Sequence, residues 1–141
     1  MSMEGLGRVF NTVPIANGKY ISMKECAAIT FVCTGADTFT ITEALTSGGG
    51  SAQGISTLIT HFYQSTSTAG TAVWTKQTQS GADAVVQGAA DITAIEVHAA
   101  WLDDTFDYVC CTNGGAGGLV WALTHDLEVQ RKPENLAVLV A

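Results

Sequence analysis

The sequence predicts an all-β fold: an antiparallel β-sandwich or barrel of about seven to nine strands, with one short helix near residues 55–64. Three observations lead there. Apolar and polar residues alternate with a period of two in segment after segment, as in strands with one buried face. Gly, Asn, Asp and Ser cluster between those segments, where turns require them. Threonine, valine and glycine are frequent, which favours strands and turns over helices.

Each element follows from its own pattern. In AAITFVCT, residues 27–34, Ile29, Phe31 and Cys33 share one face, and Ala28, Thr30, Val32 and Thr34 the other. Gly35 and Ala36 make a short turn into DTFTITEA, where Phe39 and Ile41 oppose Thr38, Thr40 and Thr42, so the two segments read as a hairpin. SGGGSAQG, residues 47–54, is a loop. Beyond it Ile55, Leu58, Ile59, Phe62 and Tyr63 fall at the spacing of an amphipathic helix. TAVWTKQTQ, residues 71–79, returns to strand character, with Val73, Thr75 and Gln77 opposite Ala72, Trp74 and Lys76. A short strand is expected over Ala84–Gln87, and another from residue 91 through His98. FDYVCCTN and GLVWALTHDLEV flank NGGAGG and read as a long antiparallel hairpin. There Cys110 and Cys111 point to opposite faces, and Trp121 joins Leu119 and Leu123 in the core. The chain divides into an N-terminal arm or first strands (1–26), a β-sandwich domain (27–130) and a C-terminal tail (131–141).

Composition bounds the function. A chain of 141 residues fits one domain and buries a core without disulfides or metal. Only 13% of residues are charged, below the roughly 25% of ordinary domains. Large surfaces that are buried or covered by a partner explain that. The net charge of −7, with six basic residues, disfavours nucleic acid and anionic membranes as partners. No apolar run approaches the roughly 20 residues of a membrane span. The N-terminus lacks the pattern of a signal peptide, so synthesis and folding in a cytosol are expected. Cys26, Cys33, Cys110 and Cys111 form no CxxC pair and read as free, buried thiols.

Catalytic and ligand motifs fail one by one. GGGSAQG has Gln53 where a nucleophile elbow needs glycine. Gly18-Lys19 is followed by Tyr20, and Val13 stands in place of the first glycine of a phosphate loop. GGAGG leads into a strand, so no helix N-terminus is there to hold a phosphate. His61, His98 and His125 lack zinc-site spacing. Asp126 can orient His125, but no nucleophile is placed beside them. Asp103, Asp104 and Asp107 miss the calcium-loop pattern and read as a solvated turn. Trp74, Trp101 and Trp121 would suit a sugar-stacking platform. The expectation is a non-enzymatic protein with no catalytic residue, no cofactor and no metal.

FDYVCCTNGGAGGLVWALTHDLEVQRKPENL, preceded by DTFTITEA, the Gly-rich loop, ISTLITHFY and AVWTKQTQ, resembles small head-region structural proteins of tailed bacteriophages, especially those of actinobacteria. The resemblance spans residues 26 to 136. It implies a capsid decoration, or cement, protein that binds the major capsid protein on the outside of the shell. It further implies a homo-oligomer, with a trimer favoured, made in the host cytoplasm and located in the virion. A tail or head–tail connector component is the alternative within the same class, and a carbohydrate-binding β-sandwich module lies outside it. Partner contacts are expected in the arm at Leu6, Arg8 and Phe10, and in the tail at Arg131, Lys132, Leu136, Val138 and Leu139. An apolar terminus is normally docked on something, and the two basic residues before it can meet acidic groups.

Overall fold

A computed structural model describes residues 10–13, 18–57, 59–83, 85–115 and 118–129. The described residues form eleven strands: β1 Phe10–Val13, β2 Ile21–Ser22, β3 Cys26–Thr34, β4 Asp37–Ala44, β5 Gln53–Gly54, β6 Ile59–Ser65, β7 Thr75–Asp83, β8 Val85–Gly88, β9 Ile92–His98, β10 Tyr108–Asn113 and β11 Val120–Leu127. A single 3-10 turn, Ala99–Trp101, follows β9. The strands make two antiparallel sheets, one ordered β1-β11-β3-β9-β6-β7 and the other β2-β10-β4-β5, with β8 also paired to β4. The all-β class is as the alternation predicts, with more strands than expected because the shortest carry too few residues to show a period.

The inner faces meet in one core. Ile29, Phe31 and Cys33 of β3 pack with Ile95 and Val97 of β9 and Phe62 of β6 from one sheet. Phe39 and Ile41 of β4, Val86 of β8 and Val109 and Cys111 of β10 come from the other. Phe31 and Phe39 are both completely buried. Truncating either to alanine removes about 3–5 kcal/mol on the scale of buried aromatic residues.

Pairing departs from expectation in two places. Segments 27–34 and 37–44 are strands, but they lie in opposite sheets, so Gly35–Ala36 is a crossing and not a hairpin turn. The same holds for β10 and β11 around NGGAGG: β10 pairs with β2 and β4, and β11 with β1 and β3. A third crossing, from β8 to β9, lies on the other flank of Gly35–Ala36. The register places all three at one end, since Thr34 faces Ile92, Cys33 faces Val120 and Asp37 faces Gly88. A short Gly-containing link serves a hairpin or a crossing equally well, which is why the sequence does not separate them. A consequence is that Leu119, Trp121 and Leu123 face outward, while Val120 and Ala122 enter the core.

The helix expected near 55–64 is absent; β6 occupies its place. The register shifts between Ile59 and His61 where β6 pairs with β7. Two steps along β6 oppose five along β7 there, so the extra residues lie on β7 and the pairing is irregular. Ile59 and Phe62 are both buried, while Tyr63 is exposed. Burial of two β6 residues three apart, beside this irregular pairing, imitates helical spacing.

The crossings leave no room at Gly118. A Cβ there would collide with the Thr34 carbonyl oxygen. Gly118→Ala is expected to destabilise the protein by more than about 2 kcal/mol in urea unfolding. Gly48→Ala meets only an ordinary contact at 4.0 Å and serves as the neutral control. Equal stabilities for the two variants would refute this account of the crossing.

Candidate functional site

The outer face of the six-stranded sheet carries an unusual residue set. Cross-strand register aligns Lys76 with Tyr63, Tyr63 with Ala94, Ala94 with Val32, and Val32 with Trp121. One row thus runs across β7, β6, β9, β3 and β11. Alternation turns all five residues away from the core. Val32, Ala94 and Trp121 are half-buried, and Tyr63 is 43% exposed. Ile92 and Leu123 are half-buried on the same face, and Leu119 is 58% exposed at its edge. Val73 and Trp74, just before β7, are 80% and 49% exposed. A sheet with one wet side ordinarily carries polar residues there.

Beside this row lies a polar patch. Thr30 Oγ1 and His125 Nε2 are 2.9 Å apart, and His125 Nδ1 is 3.3 Å from Asp126 Oδ2. His98 Nε2 meets Glu96 Oε1 at 2.8 Å, and its ring lies 4.8 Å from that of Trp101. His61 shares a 3.1 Å hydrogen bond with Thr60 and stands edge-on to Tyr63. Hydroxyl, imidazole and carboxylate in the order Thr30, His125, Asp126 follow the layout of a hydrolase triad. Thr30 lies 95 positions from His125, so sequence spacing gave no sign of it. The rest of such a site is not built. Thr30 sits in mid-strand between β11 and β9, where the backbone amides are engaged in ladders and none is left to bind an oxyanion. The Asp126 side chain is 70% exposed, where water weakens its hold on the imidazole. The arrangement orients His125 on the surface.

At the end opposite the crossings, Glu43 is fully buried on the inward side of β4. Its Oε1 accepts from Gln53 Nε2 at 2.7 Å, and its Oε2 accepts from the Asp103 backbone N–H at 2.9 Å. Gln53 Nε2 also donates to Asp103 Oδ2, which accepts from Ser56 Oγ as well, both at 2.9 Å. Asp103 is thus tied into the fold, and Asp107 pairs with Lys24 at 3.8 Å. Among the described residues no group of three or more His, Cys, Asp or Glu is placed to hold a metal. Nothing in the sequence distinguishes Glu43 from a solvated glutamate on a strand.

All four cysteines are free and buried. Burial pushes the Cys26 thiol up to about 11 from 9.0, with Glu128 and Glu25 adding to the shift. Burial likewise raises Cys110 to about 11, against a lowering hydrogen bond with Thr42. The hydrogen bond with Cys33, then burial, hold Cys111 well above the usual thiol range. Cys111 points into the core and Cys110 to the other face, beside Thr42, which shares a 3.0 Å hydrogen bond with the Tyr20 hydroxyl.

Of the expected partner contacts, Phe10 is described. It lies half-buried on β1 opposite His125. Leu6, Arg8, Arg131, Lys132, Leu136, Val138 and Leu139 lie outside the described residues. No helix among the described residues is long and apolar enough to cross a membrane. Among known proteins, no family model, no curated protein and no solved structure matches the chain.

Two measurements check this account. Glu43→Ala leaves two donors without an acceptor, and Glu43→Gln turns an NH2 group toward one of them. Both are expected to cost about 2 kcal/mol or more by thermal or urea unfolding. A neutral Glu43→Gln variant would refute the double-acceptor role. For the thiols, the neutral form is favoured in the fold. Their stabilisation is complete below the unfolded value of 9.0 and is lost as pH rises toward 11. Thiolate absorbance is expected to appear near 9.0 in denatured protein and about two pH units higher in native protein. Native thiols titrating together at the denatured value would contradict the burial.

Proposed function

We propose that the protein is a non-enzymatic structural component of a tailed-phage virion. In this reading it is a capsid decoration protein that binds the major capsid protein on the shell exterior and stabilises the shell. The observation that carries the docking is the apolar row Tyr63, Ala94, Val32 and Trp121 on the solvent side of the six-stranded sheet. Interface cores are depleted of charge and rich in aromatic residues, with polar rims. Here Lys76, Glu96 and Asp126 lie at the margins of the row, and Glu96 is paired with His98. Burial of the row would contribute about 25 cal/mol per Å² before the cost of association. The resemblance to phage head proteins supplies the partner, and a low charge content of 13% suits a chain with much covered surface.

A trimer at symmetric positions of the shell is the preferred assembly, because soluble oligomers close by symmetry. A tail or connector role uses the same surface. Exposed Tyr63 and Trp74 also favour the sugar-binding alternative, because exposed aromatic rings are what a sugar face stacks on.

Purified particles test the proposal. Mass spectrometry is expected to find the protein in stoichiometry with the symmetric sites of the shell. Tyr63→Glu and Leu119→Glu are expected to lower occupancy at least about tenfold while shifting Tm by only a few degrees, since both side chains are exposed. Absence from intact particles sinks the virion role. Tail-associated copy numbers favour the connector alternative, and binding on a glycan array that Trp74→Ala abolishes favours the sugar-binding one.

A further inference from the structure

The core holds a pair of thiols that its packing does not require. Cys33 of β3 and Cys111 of β10 come from opposite sheets, are fully buried and lie with their sulfurs 3.9 Å apart. Hydrophobic side chains of similar size would fill the same space without facing sulfur to sulfur. The pair also sits where the sheets are tied together. Cys33 stands one residue before the end of β3, near the β3–β4 crossing, and Cys111 two residues before the end of β10. Its partners are unambiguous. Cys110 points to the other face of its sheet, and Cys26 is at the far end of β3. A disulfide has an S–S distance of about 2.05 Å, so closure needs roughly 1.9 Å of approach. Closure also requires the two Cα atoms to come within about 7 Å, so the sheets must approach each other locally.

We propose that Cys33 and Cys111 form a site of oxidative modification, closing to an inter-sheet disulfide when the reduced protein meets a peroxide. One sulfur, as thiolate, attacks a peroxide oxygen; the O–O bond breaks and hydroxide leaves, taking up the thiol's proton as water. The sulfenic acid that results is held against the second thiol. That sulfur attacks the first, the S–O bond breaks, a second water leaves and the S–S bond forms. Two thiols and one peroxide thus become one disulfide and two waters. The sulfurs are oxidised and the peroxide oxygens are reduced. A small oxidant is specified because neither sulfur is reachable by a bulky disulfide such as oxidised glutathione. Burial and the raised thiol value of Cys111 make the first step slow, and proximity makes the second fast.

The cross-link would join residues 78 positions apart, at the end where the chain passes three times between the sheets. A long closed loop is the arrangement in which a disulfide restricts the unfolded chain most. The reduced protein is the form expected in a cytosol, and the oxidised form is the one expected after release into an oxidising medium. The proposal does not depend on the docking reading.

The test treats reduced full-length protein with hydrogen peroxide, then unfolds it and alkylates every remaining thiol. Two alkylated cysteines are expected, at 26 and 110, with a mass lower by two hydrogens and a non-reduced digest in which the peptides of Cys33 and Cys111 are joined. The oxidised protein should melt about 10 °C higher, and a reductant should reverse the gain. Cys110→Ala should still cross-link, whereas Cys33→Ala and Cys111→Ala should not. If those two variants fail to fold, the digest of the unaltered chain decides. Four alkylatable thiols after prolonged treatment, sulfinic acid in place of the cross-link, or a linkage through Cys26, Cys110 or a second molecule would each overturn the proposal.

Discussion

Thr34 ties the central crossing to the one that enters β11. Its backbone N–H donates to the Leu119 carbonyl at 2.8 Å, and its hydroxyl accepts from the Leu119 N–H at 2.8 Å. One residue on, the Gly35 N–H donates to the Asp91 carbonyl at 2.8 Å. Asp37 Oδ1 then accepts from the N–H groups of Thr38 and Gly114, at 2.7 Å and 3.1 Å. The central crossing is therefore bonded to the crossing on either side. A crossing must turn its chain through the rim of the sandwich, where the ladders end and backbone groups lose their partners. Stacking three crossings supplies those partners from each other. It also fixes the relative height of β8, β4 and β10 over β9, β3 and β11.

The division between inside and outside follows from that registration. Once the crossings set the sheets, alternation decides every side chain along the six central strands. Phe31, Cys33, Phe39, Ile41 and Cys111 are directed inward, and Thr30, Val32, Trp121 and Cys110 away. At the far end the chain crosses as well, from β2 to β3 through residues 23–25, where the Met23 N–H donates to the Asp107 carbonyl at 2.8 Å. There Glu43 takes the inward position, and its carboxylate ties β5 and the segment at Asp103 to β4. Both ends of the sandwich thus use backbone hydrogen bonds between connecting segments, and the far end adds a buried side chain that accepts from two donors.

The strands were legible in the sequence because a period of two is a local property. Residues 37–44 match β4 end to end, and the strand expected through His98 ends there. Pairing was not legible. Whether β3 returns beside β4 or crosses over it depends on contacts with Leu119 and Asp91, which are remote in sequence. The irregular pairing of β6 with β7 was hidden for the opposite reason: the apolar residues three apart on β6 are spaced as in a helix. Trp121 was misplaced because Leu119 and Leu123 alternate with it as a core strand's residues would, and the strand's other face, Val120 and Ala122, is equally apolar. Thr30 with His125, and Cys33 with Cys111, are contacts across 95 and 78 positions that no spacing rule reaches.

That apolar character on both faces of β11 and β3 carries a physical implication. Stability requires one buried face, and an outward threonine would suit β3 and β11 as well as Val32 and Trp121 do. Outward apolar groups exposed to water add no folding free energy that a polar residue would forgo, and they raise the risk of aggregation. Their position matters as well. The row from Lys76 to Trp121 crosses five strands, spanning about 19 Å at the usual strand spacing. Three of those strands, β9, β3 and β11, are the ones locked by the crossings. Side chains held on a registered sheet have little freedom left to lose on association, which is where much of the cost of binding lies. The stitched end of the sandwich therefore holds the apolar row on a rigid outer face, the condition that the proposed docking requires.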